Sequence, residues 1–214
     1  MRMTSRLASL AAGVPVLAAV VGAAAGAPAS AHPKAAGKTS ATATVYVAVS
    51  IGGVTSAVRP VSPATNKPGT PIKTSTTQAL VSTPNGKTVY AANAGANTVG
   101  PPISLEPNAK EPVSMAMTPN GATLYVTSEI GGVTPIDTAT NTAGTLITST
   151  WHGYTEITRQ IVITPNGKTA YVVGQLNGTL NRRRNVLSPI ATATDKPGAA
   201  ITVGRGVSAI TITP

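Results

Sequence analysis

Short runs of apolar and β-branched residues, separated by Gly, Pro and Asn, extend from Thr44 to the last residue of the chain. No window of ten residues in this region combines a 3.6-residue apolar period with helix caps. Val, Ile, Thr and Tyr dominate the runs, and these residues favour strands. The pattern predicts an all-β fold for residues 44–214.

One segment recurs within this region. Thr164–Gly174 contains Thr-Pro-Asn-Gly followed by a Tyr-centred run, and related copies occupy Thr83–Asn93 and Thr118–Ser128. A copy without its first half lies at Thr44–Ser50. A strand ending in Thr-Pro, an Asn-Gly turn and a second apolar strand are typical of a β-hairpin. The chain is therefore a repeat protein.

Each repeat divides into four predicted strands, which we name A to D. Strand A runs into Thr-Pro, strand B carries a tyrosine, strand C contains a proline, and strand D follows a glycine and contains isoleucine. The repeated tyrosines, which we interpret as packing residues, are Tyr46, Tyr90, Tyr125 and Tyr171. Four short strands in about 45 residues are typical of a propeller blade. We therefore expect about four four-stranded antiparallel blades in a radial array.

The blades carry two further expectations. The chain opens on strand B and closes on strand A, so Val207–Pro214 can complete the first blade, as in closed propellers. The alternatives are an open arc that needs a partner and a truncated propeller. In the second copy Val99 directly precedes Gly100, so strand C is missing and this blade is incomplete. Strands B and D then expose unpaired backbone unless the blade re-registers, and Asn93–Pro112 is expected to be the least regular region.

The repeat resembles a known family. Tyr125-Val126-Thr127, followed by Thr134-Pro-Ile-Asp-Thr-Ala-Thr-Asn-Thr-Ala-Gly144, is similar to the YVTN β-propeller repeat of exported bacterial and archaeal surface proteins. The resemblance covers Thr44 to Pro214. It implies four-stranded blades around a central channel, usually seven of them, and it implies no catalytic residues because the motif is structural.

The first 43 residues are expected to lie outside this domain. Residues 1–31 combine a basic start, an apolar run and the small-x-small sequence Ala29-Ser30-Ala31, which is typical of a signal peptide. A membrane-spanning helix is the alternative, although Pro15 and several glycines interrupt the run. Residues 32–43 are predicted to be a disordered spacer. The mature protein is thus expected to be secreted or cell-wall associated, without stable membrane insertion.

The composition of the chain excludes several kinds of catalytic and metal-binding site. The chain has no cysteine, which excludes disulfides, thiolate metal sites and a cysteine nucleophile. It has no Gly-x-Ser-x-Gly or His-Glu-x-x-His motif, and its six acidic residues are scattered. We expect no enzymatic activity, cofactor or metal site. A small lactonase-like hydrolase on a propeller scaffold is one alternative, and a truncated repeat protein without independent activity is another.

The charge predicts anionic partners. Without residues 1–31 the chain carries 14 Lys and Arg against 6 Asp and Glu, a formal charge of +8. We do not expect nucleic-acid binding, because of the export signal, the lack of Phe and the tyrosines held at repeat positions. An anionic cell-wall polymer, a polysaccharide or an acidic protein fits better. Self-association that completes a larger ring is a further partner hypothesis.

Two unusual loops define a candidate binding face. Antiparallel strand order places the B-to-C and D-to-A loops at the same end of the blades. One long D-to-A loop and one long B-to-C loop are rich in aromatic and basic residues, and a later D-to-A turn adds an arginine. These residues are Trp151, His152, Tyr154, Arg182, Arg183, Arg184 and Arg205. The predicted function is a non-catalytic binding or scaffolding module that uses this face. Alternatively, the arginines form a solvated hairpin tip and Trp151 plugs the channel mouth.

Overall fold

The computed structural model describes residues 16–20, 44–51, 55–74, 76–93, 102–105, 110–130, 132–148, 150–151, 154–176 and 184–213. These residues form eighteen strands and no helix. In chain order the strands are β1 (Val16–Val20), β2 (Val45–Ile51), β3 (Thr55–Ser62), β4 (Lys67–Pro68), β5 (Ile72–Thr74), β6 (Thr77–Ser82), β7 (Val89–Asn93), β8 (Pro102–Ser104), β9 (Lys110–Met117), β10 (Thr123–Ile130), β11 (Gly132–Asp137), β12 (Thr142–Ala143), β13 (Thr150–Trp151), β14 (Tyr154–Ile163), β15 (Thr169–Leu176), β16 (Arg184–Ala191), β17 (Lys196–Pro197) and β18 (Ile201–Gly204).

The strands assemble into four antiparallel sheets that follow the repeats. The first sheet has the order β2-β3-β4, and β5 also pairs with β3. The second has the order β6-β7-β1-β8 and the third β9-β10-β11-β12. The fourth has the order β13-β14-β15-β16-β17, and β18 also pairs with β16. The predicted all-β, propeller-type array of about four antiparallel sheets is therefore confirmed.

The Thr-Pro-Asn-Gly segments form the A-to-B turns. In the fourth sheet, Gly167 N donates to Thr164 O at 2.8 Å, and Thr169 N donates to Thr164 Oγ1 at 3.0 Å. Lys168 N donates to Asn166 Oδ1 at 3.0 Å. Gly167 has a φ of 70°, which glycine adopts without strain. The threonine hydroxyl and the asparagine amide thus satisfy backbone donors that the loop would otherwise leave unpaired.

The core lies between successive sheets. Residues of β7 alternate, so that Val89 and Ala91 pack towards the first sheet while Tyr90 and Ala92 pack towards the third. Strand β10 repeats this arrangement, because its Tyr125 joins the cluster shared with the fourth sheet. A sheet that is apolar on both faces must be covered by a neighbour on each side. This explains why stacked repeats are stable when a single hairpin is not.

The four tyrosines differ according to the position of their sheet. Tyr90 and Tyr125 are 2% and 0% exposed, and both lie in the two inner sheets, where each packs towards the sheet that follows. Tyr46 and Tyr171 are only partly buried. The predicted packing role is confirmed for the two inner tyrosines, and it is weaker at the two ends of the series.

Ring closure by the last segment is not observed. Residues 207–213 form no strand with β2. Instead, Gln160 Nε2 donates to Ser208 O at 3.1 Å, and Val207 N donates to Asn185 Oδ1 at 3.4 Å, so the segment lies against the fourth sheet. In the described part of the chain, extensive packing links each sheet to the next and does not link the first to the fourth. Among the described residues, the four sheets therefore form a series without a closing contact between the first and the last.

The incomplete second blade is filled in a way that the sequence did not predict. We expected exposed backbone or a change of register where strand C is missing. Instead β1, which comes from the predicted signal peptide, lies between β7 and β8 and pairs with both. Most of Asn93–Pro112 falls outside the described residues, so its expected irregularity stays a prediction. In the described residues, no helix is long and apolar enough to cross a membrane.

Candidate functional site

Several predicted binding residues lie at one end of the fourth sheet. Strand β13 pairs with the start of β14, so Trp151 is opposite Tyr154. Further along β14, Glu156 pairs with Leu176 of β15, and Leu176 pairs in turn with Arg184 of β16. The antiparallel ladder therefore brings the backbones of Trp151, Tyr154 and Arg184 to the same end of this sheet.

Arg205 reaches the same end by another route. It follows β18, whose last residue, Gly204, pairs with Asn185 of β16. The Arg205 side chain is exposed. The remaining predicted members of the face lie outside the described residues: His152, Arg182 and Arg183.

The structure adds Arg159, which sequence analysis missed. The register of β14 against β15 shifts between Thr158 and Gln160, so Arg159 is the extra residue of a β-bulge. A bulge redirects a side chain, and here Arg159 is exposed, with Nη2 donating to Gln175 Oε1 at 3.4 Å. Simple alternation along a strand does not reveal a bulge. Arg159 itself lies in the middle of β14, and its side chain reaches Gln175, next to the last residue of β15. We name the described residues Trp151, Tyr154, Arg159, Arg184 and Arg205 the arginine end.

Polar pairing supports the arginine end from within the sheet. Gln175, which accepts from Arg159, pairs with Asn185 in the ladder. The Oδ1 atom of Asn185 accepts from Val207 N, two residues after Arg205. Asn185 is 4% exposed, so its side-chain amide is shielded from solvent by the surrounding protein. The segment carrying Arg205 is thus attached to the strand that begins with Arg184.

The opposite end of the sheets carries the A-to-B and C-to-D turns, and we name it the turn end. Its lysines are all exposed: Lys67, Lys87, Lys168 and Lys196. Lys87 and Lys168 follow the Asn-Gly turns, while Lys67 and Lys196 begin the short strands β4 and β17. Because these cations are spread over three sheets, they provide a diffuse positive field and a useful contrast to the arginine end.

Adjacent sheets are joined at the turn end by tyrosine hydrogen bonds. The Tyr90 hydroxyl donates to Asn141 Oδ1 of the third sheet at 2.9 Å. The Tyr125 hydroxyl donates to Asp195 Oδ1 of the fourth sheet at 2.6 Å. Asn141 and Asp195 have φ values of 55° and 54° in equivalent C-to-D turns, a conformation that Asn and Asp tolerate better than most residues. The repeated Asn or Asp is therefore both a turn residue and the partner of the preceding tyrosine.

Two open cavities lie between the third and fourth sheets at the turn end. One, of about 360 Å³, is lined by residues that include Thr118, Asn120, Asn166 and Thr192. The other, of about 410 Å³, includes Asp195. Among the described residues that line the two cavities, Asp195 is the only ionisable one, and its carboxylate already accepts from Tyr125. The described lining residues offer mainly hydroxyl and amide groups.

The tyrosine hydroxyls are held in their protonated form. Burial, followed by the hydrogen bond and the negative charge of Asp195, raises the pKa of Tyr125 well above its ordinary value of 10.0. Burial, followed by the charge of Asp137, also raises the pKa of Tyr90. At the exposed turn of the third sheet, hydrogen bonds from Thr140 and Ala139 lower the pKa of Asp137. These shifts accompany structural hydrogen bonds between and within the sheets.

The raised pKa of Tyr125 predicts a loss of stability in alkali. Above pH 10 the unfolded tyrosine releases its proton while the folded one retains it, so the unfolded state is favoured as pH rises. Tyr125→Phe lacks this proton. We expect the stability difference between wild type and Tyr125→Phe to be constant below pH 9 and to shrink between pH 10 and 11. The release of one proton can change the free energy of unfolding by at most about 1.4 kcal/mol per pH unit. Urea unfolding at each pH measures the stability of the two proteins. If the two plots of stability against pH were parallel, the raised pKa would not belong to Tyr125.

A metal ion needs several His, Asp or Glu side chains close together. No group of three or more His, Asp or Glu side chains in the described part of the chain is placed to hold a metal ion.

Comparisons with known proteins bear on the fold. No protein-family model matches the chain, and no curated protein matches it by sequence. Among solved structures, the chain is similar to Kuenenia stuttgartiensis hydrazine synthase, with a TM-score of 0.55 and 19% sequence identity. The match covers 71% of this chain and 47% of that chain, so it spans about half of that protein. At this identity the likeness concerns the fold alone.

Proposed function

We propose that this protein is an exported, non-catalytic β-propeller-type module of the YVTN-repeat kind. It binds or scaffolds at the cell surface or in the extracellular space, and its arginine end contacts an anionic polymer. The observation that supports the proposal is that the strand ladder brings the backbones of Trp151, Tyr154, Arg184 and Arg205 to one end of the fourth sheet. Self-association that completes a larger ring stays a prediction.

The chemistry of the arginine end suits phosphate or carboxylate groups. A guanidinium is planar and can donate two parallel hydrogen bonds to such a group, which an ammonium cannot do. Arg159, Arg184 and Arg205 come from different segments of one sheet, so they can contact successive groups of a polymer. Trp151 and Tyr154 add aromatic rings, which bury apolar surface and interact with cations. The aromatic residues at this end distinguish it from the turn end, whose cations are lysines.

The anionic polymer is an acidic polysaccharide or a phosphodiester polymer of the cell wall. Each is a chain of repeated negative groups, and weak contacts repeated along such a chain add up through effective concentration. The affinity should fall as salt is added, because exposed charges are screened within about 8 Å at physiological ionic strength.

Binding can be measured with a purified wall phosphodiester polymer and an acidic polysaccharide, with neutral dextran as the control polymer. We expect binding to at least one anionic polymer and none to dextran. The triple variant Arg182→Ala/Arg183→Ala/Arg184→Ala and the single variant Trp151→Ala should each weaken binding by at least about tenfold, which corresponds to about 1.4 kcal/mol.

A matched variant separates a local site from a general positive field. Lys87→Ala/Lys168→Ala/Lys196→Ala also removes three positive charges, but it does so at the turn end. We expect this variant to weaken binding by less than about threefold, because the lysines lie at the opposite ends of the strands. Equal losses in the two triple variants would contradict a site at the arginine end. So would unchanged binding in the arginine variant.

A further inference from the structure

The second sheet contains a strand that is far from it in sequence. Every other strand of this sheet lies between residues 77 and 104, whereas β1 is Val16–Val20. It occupies the gap between β7 and β8 and is antiparallel to both. In the first, third and fourth sheets the equivalent position is filled by strand C of the same repeat, namely β3, β11 and β16.

The register of β1 against strand B equals that of the true C strands. In each of those sheets the repeated tyrosine is opposite the proline of strand C, and in the second sheet Tyr90 is opposite Ala19. The pairs are Tyr46 with Pro60, Tyr125 with Pro135, Tyr171 with Pro189 and Tyr90 with Ala19. Ala19 therefore stands where a strand C has its proline.

The register of β1 against strand D is equivalent as well. Two residues before that position, each C strand places an aliphatic residue opposite the isoleucine of strand D. The pairs are Val58 with Ile72, Val133 with Ile147, Leu187 with Ile201 and Leu17 with Ile103. A shift by one residue would turn every side chain of β1 to the other face, so agreement with both neighbours is a specific match.

The sequence of β1 fits the position that it occupies. The true C strands read Val-Arg-Pro-Val, Val-Thr-Pro-Ile and Leu-Ser-Pro-Ile, and residues 17–20 read Leu-Ala-Ala-Val. The aliphatic residues stand at the first and fourth positions in all four segments. Strand β7 beside it is buried along its whole length, so its free backbone edge needs a partner.

We propose that the second sheet is a strand-acceptor site whose occupant is Val16–Val20 of the same chain. The slot between β7 and β8 takes an extended, uncharged strand that is antiparallel to both neighbours. It requires an aliphatic residue opposite Ile103 and a small residue opposite Tyr90. Main-chain hydrogen bonds provide the affinity of such a site, and alternate side chains provide its selectivity.

The predicted cleavage of the signal peptide would change how β1 is held in the second sheet. Cleavage after Ala31 separates β1 from the rest of the chain, and the strand is then held by non-covalent contacts alone. The slot becomes exchangeable, and a peptide with the pattern of Leu17–Val20 can replace the original strand. This inference does not rest on the proposed binding of anionic polymers, which uses a different sheet.

A disulfide test asks whether β1 occupies the slot in the full-length chain. Ala18 is opposite Ala91, and because the protein has no cysteine, Ala18→Cys/Ala91→Cys introduces the only two thiols. Residues directly opposite each other in an antiparallel pair have Cα atoms about 4.5–5.5 Å apart, which is within the Cα–Cα range of a disulfide. We expect an intramolecular cross-link under mild oxidation in most molecules. In the control Ala18→Cys/Ala92→Cys the second cysteine is one residue out of register, because Ala92 is opposite Leu17. Successive residues of a strand face opposite sides of the sheet, so we expect at least about tenfold less cross-link.

A peptide test asks whether the occupant can be exchanged, and it leaves the sheet unmutated. A protease site is placed within residues 33–40 of the full-length chain, and the folded protein is cut there. A labelled peptide of residues 14–22 with a solubilising tail is then added. We expect stoichiometric exchange into the cut protein and none into the uncut protein. A peptide with Leu17→Asp should bind at least about tenfold more weakly, because it places a carboxylate opposite Ile103 without a partner.

The proposal requires both results. Equal cross-linking in the two cysteine variants, or no cross-link in either, would overturn the assigned register. A cross-link between two chains would show that a second copy donates the strand, and this would overturn the intramolecular occupant. Equal binding of the wild-type and Asp peptides, or no binding at all, would overturn the acceptor site. Polymer binding measured on the same cut protein keeps this outcome separate from that of the proposed function.

Discussion

Tyr125→Ala is expected to lower the free energy of unfolding by about 3–5 kcal/mol, the cost of truncating a buried aromatic residue to alanine. Tyr125 is 0% exposed and packs in the cluster shared by the third and fourth sheets. The substitution also removes the hydroxyl that donates to Asp195. Since domains of this size are stable by only about 5–15 kcal/mol, the variant should lose much of its stability in urea.

The chain offers a matched control for this substitution. Tyr171 occupies the same position in the fourth sheet, but it is only partly buried because no further sheet covers it. We expect Tyr171→Ala to cost no more than about 2 kcal/mol, since less apolar surface is lost. Tyr125→Phe keeps the ring and should cost about 1–2 kcal/mol through the lost hydrogen bond to a carboxylate. Equal losses at Tyr125 and Tyr171 would contradict the arrangement of the sheets as a series.

Gly132→Ala is expected to destabilise the third sheet by an amount on the order of 3–5 kcal/mol, because it forces a backbone shift in the core. Gly132 has a φ of 120°, and an added Cβ would clash with the carbonyl oxygen of Ile147. That carbonyl accepts from Val133 N at 2.9 Å, so the clash falls on the hydrogen bond that joins strands C and D. The Gly132 carbonyl also accepts from Thr158 Oγ1 of the fourth sheet.

Gly204 provides a control that distinguishes the effect of steric crowding from the effect of backbone strain. Its φ of 108° is similar to that of Gly132, but an added Cβ would meet nothing within 4 Å. We expect Gly204→Ala to cost only about 1–2 kcal/mol, which reflects the unfavourable backbone conformation alone. The difference between the two variants, measured by urea unfolding, therefore reports the close approach of strand D to Gly132. Similar losses in both would show that strain accounts for the whole effect.

The two inner tyrosines show how much of the fold the repeat pattern predicts. Because Tyr90 and Tyr125 recur at a fixed distance from Thr-Pro, their strands and their turns follow from the sequence. Their partners do not. Asn141 and Asp195 are 51 and 70 residues away from the tyrosines that bind them, and no local pattern records which sheet will follow which. This pairing requires the stacking of the sheets.

The candidate site was predicted in outline only. The antiparallel order placed Trp151 and Arg184 at one end of the strands, and the ladder of the fourth sheet has their backbones there. Arg159 was missed because it lies on a β-bulge, and a bulge depends on how one strand pairs with the next. Ring closure by residues 207–213 was a reasonable alternative from the repeat order, but it needs the two ends of the chain to meet.

By itself, the sequence determined the strand content, the hairpin turns and the four-part repeat, because these depend on residues close together in the chain. Tertiary structure decided which strand completes the second sheet. The local sequence shows that strand C is absent there, but an empty slot can be filled by any strand with the right register and side chains. Two strands can form backbone hydrogen bonds whatever their separation in the sequence. Val16–Val20 can therefore pair with β7 and β8, although its position in the sequence did not predict this.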